Sequence, residues 1–213
     1  STSLRRSEGR HAMIGIIDYG LGNVQAFATM YKRIGMAVRP VRSASDLDAC
    51  DKLILPGVGA FDHAIRLFSE SGMRDAVVKR AEEGAPLLGV CVGMQMLAES
   101  SAEGELPGLG LIKGRVEALS ALPEAMHLPL PHMGWNTVSA RSGNPLFKGI
   151  EEGEYFYFVH SFAMPVGEYT IAECDYGNPF TAAVQSGNYY GVQFHPERSS
   201  KAGAKLIQNF LEL

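Results

Sequence analysis

The sequence predicts an α/β fold: a central, mostly parallel sheet flanked by helices, with antiparallel strands in the C-terminal half. Three observations carry this. Short apolar runs alternate with helical patterns through the first half of the 213-residue chain, and glycine or proline marks each change. After Leu111 the apolar runs become aromatic or β-branched and are separated by Gly, Pro and Asn, as strands in hairpins are.

Met13–Asp18 (MIGIID) reads as the first strand and Val24–Ile34 as a helix closed by Gly35. A second strand is expected near Ala37–Val41. Lys52–Leu55 (KLIL) is short, apolar and stopped by Pro56. Met73–Glu83 has helical spacing up to Gly84, and Pro86–Val90 returns to strand. This βαβ order implies parallel strands with helices on both faces. Leu111–Ala118, Asn136–Ser139, Tyr155–His160, Tyr169–Cys174, Thr181–Gln185 and Tyr189–Phe194 are the expected hairpin strands. A last helix, Lys201–Leu211, follows the N-cap candidates Ser199 and Ser200. No repeat or linker marks a second domain, so one domain over residues 13–213 is expected. Ser1–Ala12 (STSLRRSEGRHA), polar and unpatterned, is expected to be a tag or disordered extension.

With 46% apolar residues the chain can bury a sheet on both faces, and a formal net charge of −4 argues against nucleic acid or an anionic membrane as partner. The cysteines, Cys50, Cys91 and Cys174, are odd in number and form no CxxC pair, which speaks against a disulfide framework or a zinc site and for a reducing compartment. No run approaches the ~18 apolar residues of a membrane span. A cytoplasmic location is expected.

One cysteine stands out by its place. In Gly89-Val-Cys91-Val-Gly93-Met-Gln95 an apolar strand meets a helical pattern at the thiol, and the flanking glycines are expected to permit positive-φ backbone in a tight turn. This is the logic of a nucleophile elbow with sulfur in place of oxygen. The thiol would sit at the sheet's carboxyl edge near a helix N-terminus, with the Val92 amide aimed at an oxyanion. A buried core cysteine is an equally good reading of this motif alone.

Gly191–Glu197 (GVQFHPE) supplies a partner. If the strand runs on through Pro196, the two-residue pleat puts His195 and Glu197 on one side, so that His195 could take the thiol proton while Glu197 orients the ring. Leu55–Phe61 (LPGVGAF) follows a strand with glycines that let backbone approach a ligand. It is read as an oxyanion strand at Val58 and Gly59, with Gly57 facing the substrate; an ordinary βα turn is the alternative.

PGVG, GVCVGMQ and FHPE, in that order, resemble the class I glutamine amidotransferases. IIDYGLGNV (Ile16–Val24), PGVGAFDHA (Pro56–Ala64), LPHMGWN (Leu130–Asn136), YFYFVHSF (Tyr155–Phe162) and GVQFHPERSSKAG (Gly191–Gly203) narrow the likeness to the glutaminase subunits of imidazole glycerol phosphate synthase. The resemblance implies Cys91 as nucleophile, His195 as base and then acid, and Glu197 as its orienting carboxylate. It implies that Gln95, His160 and Ser161 contact glutamine, although a packed strand-end histidine competes for His160. It further implies that no metal or organic cofactor is needed, and that the ammonia goes to a cyclase subunit with a (βα)₈ barrel, which completes imidazole glycerol phosphate in histidine biosynthesis. Trp135 and Asn136 would lie near that shared face, tryptophan being favoured at interface hot spots. A glutaminase feeding another synthase, such as that for pyridoxal phosphate, is the nearest alternative, and PHMGWN speaks against it. A catalytically silent module on the same fold would be expected to have lost a triad member, and none is lost.

Many relatives place glycine after PG in the oxyanion strand, where this chain has Val58. A β-branched residue resists positive φ, so the oxyanion hole is expected to be incomplete in the isolated subunit.

Overall fold

The computed structural model describes residues 12–122 and 128–213. The expected extension, Ser1–Ala12, lies outside the described residues except for Ala12.

β1 (Ile14–Ile17), β2 (Val38–Val41), β3 (Lys52–Leu55) and β4 (Leu87–Val90) form the parallel half of the sheet. The connecting helices are α1 (Val24–Arg33), α2 (Phe61–Glu70) and α3 (Arg74–Glu82). The short α4 (Val92–Met96) follows β4 directly. β1, β3 and β4 are buried on both faces, which is why they read as continuous apolar runs rather than alternating ones. α2 has no counterpart in the expected elements. Phe61, Ala64, Ile65 and Phe68 carry its buried stripe at helical spacing, but Ala60 supplies no side-chain cap to announce its start.

The second half contains β5 (Ser100–Ser101), β6 (Arg115–Ala118), β7 (His132–Thr137), β8 (Ser139–Ala140), β9 (Tyr155–His160), β10 (Phe162–Ala163), β11 (Thr170–Asp175), β12 (Pro179–Ser186), β13 (Tyr189–Val192) and the helix α5 (Ser200–Leu211). The large sheet runs β2-β1-β3-β4-β13-β12-β11-β8, parallel as far as β13 and antiparallel beyond it. β7 and β9 form a separate two-stranded ribbon.

Several expected strands differ at their ends from those observed, three of them for reasons visible in the structure. Leu111–Ala118 shortens to β6 because Gly110 and Gly114 take φ of 66° and 138°, which break the extended chain, and the amides of Leu111 and Ile112 turn back to Leu97 O. Asn136–Ser139 is two strands in two sheets, β7 on β9 and β8 on β11, with Val138 between them. Tyr189–Phe194 stops at Val192, because β4 has by then turned up into α4 and the chain leaves the sheet for β9, with His195 N donating to Tyr157 O at 2.9 Å.

α5 packs Leu206, Ile207 and Phe210 inward, each such side chain stabilising by about 1.5–3 kcal/mol relative to exposure. Lys52, buried at the start of β3, donates to the carbonyls of Phe210, Leu211 and Leu213 and so holds the far end of α5. Burial pulls its ammonium pKa below the usual lysine value. Lys52→Met is expected to cost about 1–3 kcal/mol, as unpaired buried polar groups do, and to appear as a lower urea midpoint at unchanged slope.

Candidate active site

The parallel register of β4 and β13 builds the site. Val90 pairs with Val192, so the carboxyl ends of two neighbouring strands open at one edge, and Cys91 N donates to Val192 O at 2.8 Å. Cys91 is one residue past the first strand end and His195 three past the second.

Among the described residues only Cys91 and Ser200 are non-glycine residues with positive φ, and Cys91 stands at φ 56°, ψ −115°. Such backbone costs of the order of 1–3 kcal/mol and persists where its surroundings over-determine it. The flanking glycines differ from expectation: neither takes positive φ, the strain sitting on the cysteine itself. They are needed for close approach. A Cβ on Gly89 would stand 2.6 Å from Gly93 O, and one on Gly93 only 1.9 Å from Leu55 O.

His195 is buried, and its Nδ1 lies 2.5 Å from Glu197 Oε1. The contact does not arise from strand pleat: Pro196–Arg198 is a turn of 3₁₀ helix that curls Glu197 back under the ring. Ser199 takes the N-cap position of α5 as expected, but its hydroxyl makes no cap bond: it donates to His195 O at 2.5 Å and accepts from Tyr157 N at 2.9 Å, fixing the backbone beneath the imidazole. Burial alone would hold His195 neutral. The Cys91 sulfur and the Glu197 carboxylate outweigh it and push the imidazolium up to about 10. His195 Nε2 is buried without a hydrogen-bond partner among the described residues.

A pH dependence follows with a definite sign. The folded pKa lies above the ordinary 6.5, so this imidazolium contributes stability that is fully present below about 6.5 and lost as pH rises through about 10. Glu197→Gln removes one of the two groups that raise it. The stability gap between wild type and Glu197→Gln, read from urea midpoints at a series of pH values, is therefore expected to shrink toward alkaline pH.

A cleft of about 320 Å³ gathers Val58, Gly59, Cys91, Val92, Gln95, His160, Ser161 and His195 from the expected set, with Glu103, Pro131, Val159 and Phe162 besides. Glu197 sits behind His195. Gly57 packs so tightly that a Cβ would meet Gly93 N at 2.8 Å and Tyr19 Oη at 2.9 Å. Val58 is 37% exposed and keeps negative φ, while Gly59 takes φ 85°. Trp135 is 52% exposed on β7, and strand alternation turns Asn136 to the other face, where it donates to His132 Nε2 and to Asp175 O. A larger groove of about 630 Å³ lies between Val138 and Phe156, but no cysteine or histidine among the described residues lines it.

Three side chains at the site escape sequence reasoning. Gln193 is fully buried, and its Nε2 donates to Cys91 Sγ at 3.8 Å; the Cys91 thiol in turn reaches Val159 O at 3.8 Å. Tyr19 donates to Pro56 O at 2.7 Å, and burial raises its phenol above the ordinary value. Glu103, the one acidic residue lining the cleft among the described residues, accepts from Phe61 N at 2.5 Å. A glutamine next to FHPE and a tyrosine next to Gly20 were visible in the sequence; Glu103 had no motif to mark it.

A strained cysteine at the carboxyl edge of a parallel sheet, opening onto one cleft with a buried histidine, suits a known class, and the chain belongs to it: residues 15–213 match the class-I glutamine amidotransferase family. Within that family it belongs with the HisH subunits of imidazole glycerol phosphate synthase. It is 60% identical over 204 residues to the subunit from Vibrio parahaemolyticus, covering 93% of this chain and 97% of that one. It is 48% identical over 199 residues to the Escherichia coli K12 subunit, covering 93% and 98%. Among solved structures, a glutamine amidotransferase crystal structure superposes with TM-score 0.72 at 25% identity over 93% of this chain and 97% of that one. PurLQS from Thermotoga maritima does so with TM-score 0.71 at 22% identity over 95% and 99%, a likeness of fold. The chain is thus an enzyme, a glutamine amidotransferase.

Proposed function

We propose that this chain hydrolyses glutamine at a Cys91–His195–Glu197 triad and passes the ammonia to a cyclase subunit, a (βα)₈ barrel, in a heterodimer that makes imidazole glycerol phosphate and aminoimidazole carboxamide ribotide for histidine biosynthesis. The observation that carries this reading is the β4–β13 register, which opens the thiol and the imidazole onto one cleft.

In the first half-reaction the Cys91 thiol passes its proton to His195 and the sulfur adds to the glutamine δ-carbon, and the carbonyl oxygen becomes an oxyanion held by backbone N–H groups at Val92 and along Val58–Gly59. His195 gives a proton to the leaving nitrogen, the C–N bond breaks, and ammonia departs from a γ-glutamyl thioester. His195 then takes a proton from water, which attacks the thioester; the C–S bond breaks and glutamate leaves. Gln95 and Ser161 hold the substrate, Gly57 lets the oxyanion segment pack close against the elbow, His160 walls the pocket, and Glu103 is the carboxylate suited to the α-ammonium of glutamine. No cofactor is required by these steps.

Val58 at negative φ supports an oxyanion hole that is incomplete until the partner docks. One missing donor costs about 10²–10³ in rate. Glutaminase assays with and without the cyclase subunit and its nucleotide ligand test the proposal: negligible hydrolysis alone and strong stimulation in the complex are expected, and equal rates would contradict it.

Met133, Trp135 and Tyr155 stand 65%, 52% and 59% exposed on the β7–β9 ribbon, an apolar face suited to the partner. Trp135→Ala is expected to weaken the complex by about 30-fold or more, the effect of a hot-spot residue, as read by titration calorimetry.

A further inference from the structure

His132 and His160 face each other across the β7–β9 ribbon as register partners, both buried, with His132 Nδ1 2.9 Å from His160 Nε2. Phe158, Tyr176 and Phe180 pack around the His132 ring, and Phe180 also packs against His160. The polarity of the contacts can be fixed from their ends. Phe162 O can only accept, so His160 carries its proton on Nδ1, 3.0 Å away. A neutral His160 then offers a lone pair at Nε2, so His132 must donate from Nδ1. His132 Nε2 is left to accept from Asn136 Nδ2 at 3.2 Å, whose other proton goes to Asp175 O at 3.0 Å.

Phe162 O also accepts from Gln95 Nε2 at 3.0 Å, and the same nitrogen donates to Gln193 Oε1 at 3.1 Å. Gln193 Nε2 points at the Cys91 sulfur. Burial holds both imidazoles in the neutral form this chain requires, pulling His132 down to about 4 and His160 to about 3.

We infer that His132 and His160 are positioning residues of the glutaminase site: two neutral imidazoles of fixed Nδ1–H tautomer that carry a one-way hydrogen-bond relay from Asn136 on β7 to Phe162 O, the carbonyl on which Gln95 also donates and from which Gln95 and Gln193 lead to Cys91. Both nitrogens of His160 are used within the protein, so it acts on glutamine through Phe162 and Gln95 rather than by offering a nitrogen. The relay starts on the strand that bears Trp135, so a shift of β7 is transmitted to the pocket floor. This rests on the glutaminase reading above.

The test has two arms. In the ¹⁵N-histidine-labelled chain at neutral pH, long-range ¹⁵N–¹H spectra are expected to show His132 and His160 both as neutral Nδ1–H tautomers; an Nε2–H tautomer or a charged ring at either position overturns the relay. In the complex with the cyclase subunit, His160→Asn can place an amide N–H where Nδ1 stands, whereas His160→Gln reaches only the Nε2 position. The KM for glutamine is expected to rise about tenfold in His160→Gln, roughly the loss of one buried hydrogen bond, with kcat changed less, and to be largely rescued in His160→Asn. A packing role alone predicts the reverse, because asparagine leaves the larger void. A KM for His160→Asn equal to or above that for His160→Gln overturns the proposal. If neither variant folds, the tautomers of the wild type decide it. A wild-type complex with no glutaminase activity refutes the glutaminase reading instead, and the spectra still judge the relay.

Discussion

Cys91→Ala is expected to lower glutamine-dependent product formation by the synthase complex by about 10⁴-fold or more, the scale on which loss of a covalent nucleophile acts. With an ammonium salt supplied in place of glutamine, the same variant is expected to keep forming product, because the change removes the source of ammonia and leaves its consumer intact. The other two thiols cannot stand in. Burial pushes Cys174 up to about 12 and raises Cys50 as well, so neither offers a thiolate, and neither sits on strained backbone. Cys50→Ala and Cys174→Ala are expected to alter stability and to leave glutamine-dependent turnover in place.

The second large effect is structural. Gly93→Ala would put a methyl carbon 1.9 Å from Leu55 O, a backbone atom at the end of β3, so β3 and α4 must part. Overpacking of this kind costs about 3 kcal/mol or more, which for a chain of this size lowers the melting temperature by roughly 6–12 °C. The contact also helps to hold the Pro56–Gly59 segment, which follows β3, against the elbow. Glutaminase activity of the complex is therefore expected to fall further than the lost stability accounts for, in protein still folded at assay temperature. Differential scanning calorimetry and steady-state kinetics on one preparation separate the two losses. Gly35→Ala, at a position with φ 77° and open space around it, controls for backbone strain remote from the site.

Much of this was legible in the chain because apolar runs, glycine stops and the Cys, His and Glu motifs are local signals. β9 was delimited by sequence alone, and the βαβ order gave the parallel half of the sheet. What was not legible depends on tertiary contact. The reason for Gly89 and Gly93 is the approach of β3, a neighbour distant in sequence. The His195–Glu197 contact comes from a 3₁₀ turn where the pleat argument expected a strand. Ser199 carries a capping residue's chemistry but spends it on His195 and Tyr157. Gln193, Tyr19 and the His132–His160 pair become meaningful only once β13, β3 and the β7–β9 ribbon converge on Cys91. The helix α2 carries its signal at Phe61, Ala64, Ile65 and Phe68, directly after a glycine loop that has no capping residue to mark where the helix starts.

The most direct test of the central claim, that one activated sulfur faces a glutamine pocket, is peptide mass spectrometry of the chain after treatment with a glutamine-mimicking electrophile, with and without glutamine. The account predicts a single adduct on Cys91, suppressed by glutamine and lost in His195→Asn, with Cys50 and Cys174 unmodified. Labelling of Cys50 or Cys174 to the same extent, or a Cys91 adduct that glutamine does not suppress, would contradict it.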